Sequence, residues 1–142
     1  MEPGAAMEEN TGGEYLTQKK IYYHDTDCGG VVYYANYLKY FEEARTEFFT
    51  SRGVDLRRLA DGGVFFVVAR VEIDYKAPAK YQDVLSIHTS VARARRSLVE
   101  FAQRATREGT VIAEARTIIM CVGRDLRTIT VPPVIAEAIS AE

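Results

Sequence analysis

Tyr22-Tyr23-His24-Asp25-Thr26-Asp27-Cys28-Gly29-Gly30-Val31-Val32-Tyr33-Tyr34-Ala35-Asn36-Tyr37 is where the periodicity of this chain changes from strand to helix. Asp25 to Gly30 breaks the preceding strand, because Asp and Gly populate turns and positive φ. From Tyr37 to Arg52 the period is helical: Tyr37, Phe41, Ala44 and Phe48 recur at i, i+4, i+7 and i+11, widened by Leu38, Tyr40 and Phe49. Asn36 is placed to cap that helix and Gly53 to end it in a left-handed turn. A helix with so bulky an aromatic face needs a large apolar surface against it.

The flanking sequence supplies strands. Upstream, Thr17 to His24 reads as a first strand, with Ile21 and Tyr23 on one side. Downstream, the odd positions from Phe65 to Tyr75 are all apolar while Arg70, Glu72 and Asp74 alternate with them. Leu85 to Val91, Leu98 to Arg107 and Val111 to Val122 continue the series, divided by Pro78, by Glu108-Gly109 and by Gly123-Arg124-Asp125. Pro132-Pro133 opens a short C-terminal helix, with Pro133 in its first turn. The fold class is α+β: one long helix packed on the shared apolar face of consecutive antiparallel strands joined by short turns. Residues 14–142 form a single domain, and Met1 to Gly13, rich in glycine and acids without an apolar run, reads as a disordered tail.

Composition narrows the function classes. Of 142 residues 47% are hydrophobic and 27% charged, with a net charge of -2, so no global field draws nucleic acid or an anionic membrane. Two cysteines, Cys28 and Cys121, and two histidines, His24 and His88, build neither a disulfide framework nor a metal site. No secretory leader is apparent, and no segment reaches the ~20 apolar residues of a membrane span; a cytoplasmic location is expected.

The chemistry is concentrated where the strand meets the helix. A carboxylate aimed at a helix start offers a base or nucleophile together with backbone N–H groups for a developing oxyanion. Asp25 and Asp27 are both candidates, since residues i and i+2 of an extended chain share a face; Asp25 reads better as a turn cap for Thr26 and Asp27, and a turn-capping role is the alternative for Asp27 too. Gly29 and Gly30 allow close backbone approach to a ligand. Cys28 ranks below Asp27 as nucleophile, having no histidine base but His24 nearby, and both histidines read as surface or strand-end residues. Glu42, Glu43 and Glu47 read as a solvated helix face paired with Lys39, Arg45 and Arg52. Arg93, Arg95 and Arg96 cluster at a hairpin, and Lys76 and Lys80 at another turn, where they can meet phosphates or simply form a solvated hairpin tip.

Taken together, Tyr-Tyr-x-Asp-Thr-Asp-x-Gly-Gly-Val-Val-Tyr at 22–33, Ala-Asn-Tyr-Leu-Lys-Tyr-Phe-Glu-x-Ala-Arg-Thr-Glu at 35–47 and Ala79-Lys80-Tyr81-Gln82-Asp83 resemble the hot-dog thioesterases of the 4-hydroxybenzoyl-CoA and YbgC groups. The resemblance runs from about Ile21 to about Pro133. It implies a curved sheet wrapped on the helix and hydrolysis of an acyl thioester with Asp27 as nucleophile or as base for water. The backbone N–H of Tyr34 would polarise the carbonyl. Gly29, Gly30, Val31 and Asn36 are expected around the substrate, with Arg93, Arg95 and Arg96 on the coenzyme A phosphates. It further implies no metal or organic cofactor, a coenzyme A or acyl carrier protein thioester as partner, and a homodimer or homotetramer with active sites between subunits. Many YbgC-like members carry His where this chain has Tyr34. A hot-dog hydratase would want a histidine partner for the Asp, and a non-catalytic acyl-thioester-binding scaffold is the third reading.

Overall fold

A computed structural model describes residues 13–140 of the chain. The expected tail lies, apart from Gly13, outside the described residues. The order of elements is β1 (Tyr15–Lys20), a 3-10 turn (Tyr23–Asp25), α1 (Asn36–Ser51), α2 (Leu56–Asp61), β2 (Phe65–Tyr75), β3 (Val84–Ala94), β4 (Leu98–Arg107), β5 (Thr110–Val122) and α3 (Pro133–Ser140). All five strands form one antiparallel sheet in the order β1-β3-β4-β5-β2. This is the hot-dog arrangement of the α+β class.

Consecutive pairing holds for β3-β4 and β4-β5 but not for β2-β3, because β2 crosses to the far edge and pairs with β5. The crossover is residues 76–83. Its anchor is Arg107, whose guanidinium donates to Pro78 O at 2.9 Å and to the Asp83 carboxylate at 2.8 Å. The first strand is shorter than expected: the β1-β3 ladder ends at Lys20↔Val84, where β3 begins, and the chain then turns at Tyr23–Asp25.

The sheet buries α1 along Tyr37, Tyr40, Phe41, Ala44, Phe48 and Phe49, while Leu38 stays exposed. Two core clusters divide the helix between them. Tyr37, Tyr40 and Phe41 meet Leu85, Ile87 and Ile112. Phe48 and Phe49 meet Phe101 with ring centroids 5.4 and 5.8 Å away, a spacing at which edge-to-face rings attract. The period-2 expectation for β2 fails at its middle: the register shifts between Val68 and Arg70. The extra residue flips the alternation, so Phe66 and Ile73 both pack on the core. That leaves Val67, Val68, Val71 and Tyr75 between 36% and 54% exposed along the edge strand.

A buried polar relay crosses the core. Gln103 donates to Phe41 O and to Thr89 Oγ1, both at 3.0 Å, and accepts from Arg45 Nη1 at 3.1 Å. Arg45 therefore points inward rather than pairing with the helix-face glutamates, and burial lowers its pKa. Arg52 likewise reaches Ala138 O at 2.9 Å and lies over the Phe48 ring. His88 is half-buried, against Thr106 Oγ1 at 3.1 Å, Arg104 and Glu14, rather than a free surface residue. α2 carries an Asp55 cap, its carboxylate accepting Arg58 N–H at 3.1 Å, a signal that the helical period alone did not reveal. Gly53 does adopt the left-handed conformation at the end of α1, φ 81°.

Candidate active site

The Asp25–Tyr33 segment folds back on itself as a short ribbon. Asp27 N–H donates to Val31 O at 2.9 Å, Tyr33 N–H to Asp25 O at 3.0 Å, and Thr26 bridges Val32. The ribbon joins the 76–83 crossover through Val32 N–H to Ala79 O at 2.9 Å and a bridge between Val31 and Lys80. Gly30 sits at the tip with φ 83°, which an L side chain resists. Val31 is therefore part of the ribbon's ladder, half-buried beside Lys80.

Asp27 is exposed on this ribbon. Its Oδ1 accepts Gly29 N–H at 2.8 Å, while Oδ2 carries no hydrogen bond or ion pair among the described residues. A Cβ on Gly29 would stand 3.2 Å from Oδ1, so the absence of a side chain there shapes the carboxylate's seat directly.

Asp25 does the opposite work. It is 6% exposed; its Oδ2 accepts Tyr22 N–H at 2.8 Å and its carbonyl accepts Asn36 Nδ2 at 2.9 Å. Asp25 is therefore a local turn residue, but it caps Tyr22 upstream rather than Thr26 and Asp27, whose N–H groups donate to Tyr23 O and Val31 O. Asn36, expected as the helix cap, is instead the first helical residue, and its side chain ties the ribbon to the helix; the cap position is Ala35, without a side-chain bond. The Tyr40 hydroxyl lies buried against Asp25 without a well-formed hydrogen bond. Burial first, then the Asp25 carboxylate, push its pKa up.

At the helix start, Tyr34 N–H and Ala35 N–H donate to no acceptor among the described residues, whereas Asn36 N–H donates to Tyr33 O at 2.9 Å. These are the donors a first helical turn leaves open. Beside them lies an open cleft of about 320 Å³ walled by Val32, Tyr34, Tyr37, Tyr75, Lys76, Ala77 and Pro78. Burial pushes the Tyr37 phenol on its floor up to about 12. Tyr75, a residue not singled out in the sequence, donates its hydroxyl to Tyr34 O at 3.1 Å.

The expected phosphate-binding arginines are not here. Arg93, Arg95 and Arg96 lie around the β3-β4 hairpin, whereas the ribbon joins the sheet near Val84 at the other end of β3. Eleven residues at about 3.3 Å each put roughly 33 Å between those ends. Within one chain they do not meet Asp27. Arg93 is paired with Glu100 at 3.0 Å and Arg96 Nε donates to Thr130 Oγ1 at 2.7 Å. The cations beside the ribbon are Lys76, paired with Glu114 at 3.3 Å, and Lys80. Cys28 is exposed and Cys121 buried; His24 stacks on Tyr22 with centroids 6.2 Å apart. Among the described residues no His, Cys, Asp or Glu group is arranged to hold a metal, and no helix is long and apolar enough to cross a membrane.

Comparison with known proteins places the chain in a family. The acyl-CoA thioester hydrolase YbgC of Escherichia coli O157:H7 is 38% identical over 104 residues, 72% of this chain and 78% of that one. A solved protein of Thermus thermophilus, 33% identical, superposes with a TM-score of 0.83 over 88% of this chain and 96% of its own. The DHNA-CoA thioesterase of Staphylococcus aureus shares the fold at 24% identity, TM-score 0.85, over 89% of each chain. The thioesterase-like superfamily matches residues 22–139, and the chain belongs to that superfamily.

Proposed function

We propose that this protein hydrolyses acyl-CoA thioesters to a carboxylate and a free thiol, with Asp27 as the catalytic carboxylate. The observation that carries this reading is the pairing of a carboxylate with one unengaged oxygen and helix-start N–H groups that lack an acceptor, on one tightly bonded ribbon. Asp27 either attacks the thioester carbon or takes a proton from water that does. In both cases the carbonyl oxygen becomes negative, Tyr34 N–H stabilises it, and the carbon–sulfur bond breaks to release thiolate. If Asp27 attacks, the acyl–aspartyl anhydride is then opened by water.

A second copy of the chain completes the site in this reading. The outer side of β2 has no strand beside it among the described residues and exposes valines, an edge that proteins ordinarily cover. Antiparallel pairing of β2 with its symmetry mate sets the Tyr75 end of one subunit against the Phe65 end of the other. Three strand spacings of about 4.8 Å then separate that junction from the partner's β3-β4 hairpin, roughly 14 Å. Arg95 and Arg96 of the partner subunit would thus reach the coenzyme's phosphates in trans, with Lys80 on the near side; Gly29, Gly30 and Val31 form the rim of the thioester end.

The test is thiol release from acyl-CoAs ranging from acetyl to palmitoyl and benzoyl types, wild type beside Asp27→Asn. Release that depends on Asp27 is the expected result. A folded wild type that binds acyl-CoA without releasing thiol would instead indicate a binding protein.

A further inference from the structure

Two consecutive peptide units open α1, and each has its carbonyl engaged and its N–H free. The Tyr33 carbonyl accepts Asn36 N–H at 2.9 Å, and its peptide partner Tyr34 N–H has no acceptor among the described residues. The Tyr34 carbonyl accepts the Tyr75 hydroxyl at 3.1 Å, with Tyr37 N–H more distant at 3.4 Å; its peptide partner Ala35 N–H is likewise free. A carbonyl that accepts a hydrogen bond makes the N–H of the same peptide a stronger donor. The first unit is held by the helix itself, the second by a side chain from another element. That side chain is fixed in turn: the Tyr75 ring meets Tyr34 at 6.1 Å and Tyr37 at 5.7 Å, both edge-on. Tyr75 closes β2, so its hydroxyl links the edge strand to the helix start.

We infer that Tyr75 is a positioning residue of the active site: its hydroxyl on the Tyr34 carbonyl polarises the Ala35 N–H of that peptide and holds the helix start, and with it the adjoining Tyr34 N–H, in place before the substrate oxygen. The inference rests on the hydrolytic reading of Asp27 and Tyr34 N–H. A donor acting through one carbonyl contributes a fraction of a direct oxyanion contact, which alone typically counts for about 10²–10³ in kcat. Burial, and then the neighbouring Tyr34, raise the Tyr75 pKa, which keeps the phenol protonated as a donor across neutral pH.

Tyr75→Phe keeps the ring and removes the hydroxyl. With the preferred acyl-CoA, kcat is expected to fall about 3- to 10-fold with KM within twofold, and the melting temperature should hold. The second readout is the infrared carbonyl stretch of a bound, non-hydrolysable acyl-CoA analogue with methylene in place of the thioester sulfur. In wild type it lies below its solution frequency, and in Tyr75→Phe it moves back toward it. An active wild type with an indifferent Tyr75→Phe variant, or a slowed variant whose bound carbonyl frequency does not move, overturns the inference alone. A wild type that releases thiol from no acyl-CoA overturns the functional reading and the inference together.

Discussion

Replacing Asp27 by asparagine changes charge and basicity while leaving shape almost untouched, and the surroundings allow its consequences to be separated. The Oδ1 that holds Gly29 N–H at 2.8 Å remains an acceptor in asparagine, and the side chain is exposed, so stability should change by less than about 0.5 kcal/mol. Activity should not survive so well. A general base contributes about 10²–10⁴ in rate, which at about 1.36 kcal/mol per decade corresponds to a barrier raised by roughly 2.7–5.4 kcal/mol. A nucleophile would cost at least as much. The assay is colorimetric thiol release on the preferred acyl-CoA with urea unfolding of both proteins in parallel. Asp27→Asn activity within tenfold of wild type, at unchanged stability, would remove Asp27 from the mechanism.

Three further outcomes test other parts of the structure. If Arg95 and Arg96 act across the subunit boundary, the double change to alanine should raise KM for acyl-CoA about tenfold, as expected for loss of one or two exposed charge-assisted contacts; KM for the corresponding acyl-pantetheine, which lacks those phosphates, should stay unchanged. Gln103→Leu deletes the buried bonds to Phe41, Thr89 and Arg45 and should cost about 2–3 kcal/mol, read as a lower urea midpoint at constant m-value. The His88 pKa is lowered from its ordinary 6.5 by burial, then by Arg104. The unfolded chain therefore takes up this proton first as pH falls: the contribution is intact above about 6.5, declines below it and levels off under the folded pKa. Melting temperatures measured from pH 8 to 5 should decline less in His88→Gln than in wild type.

What the sequence could tell depended on whether the determining interaction was local. The ranges of β2 and β4 match their expected bounds and α1 lies one residue earlier than its period suggests, while the left-handed Gly53 and the opening of α3 at Pro133 follow from single-residue backbone preferences. Asp25 was legible as a local turn residue but not in its direction: its carboxylate takes Tyr22 N–H three residues upstream, not Thr26 or Asp27. Asn36 was misread for the converse reason: the spacing suggests a cap, but its amide bonds the carbonyl of a residue eleven positions upstream. Strand pairing failed at β2 because the crossover that carries the chain to the far edge is held by Arg107, distant in sequence. Gln103 and Arg45 read as strand and surface residues since nothing local marks a bond spanning 58 positions. Tyr75 was invisible as anything but an alternating apolar residue, because its hydroxyl meets a carbonyl 41 positions away.

If the hairpin arginines hold the coenzyme phosphates, as proposed, the site exceeds one chain. A five-stranded sheet of this length has two ends, and the Asp27 ribbon occupies one while the arginines occupy the other. No rearrangement within the chain brings them together without breaking the β3-β4 ladder from Ser86 to Ala94. An antiparallel two-fold through β2 would do so with the fold unchanged, because it would set opposite ends of two identical sheets side by side. The bulge at Val68–Arg70 bears on the same step: it turns Phe66 into the core while Val67, Val68 and Val71 stay exposed on the edge strand. Tyr75 ends that strand and holds the Tyr34 carbonyl, so the edge that would recruit the second subunit is bonded to the peptide next to the one that would hold the oxyanion.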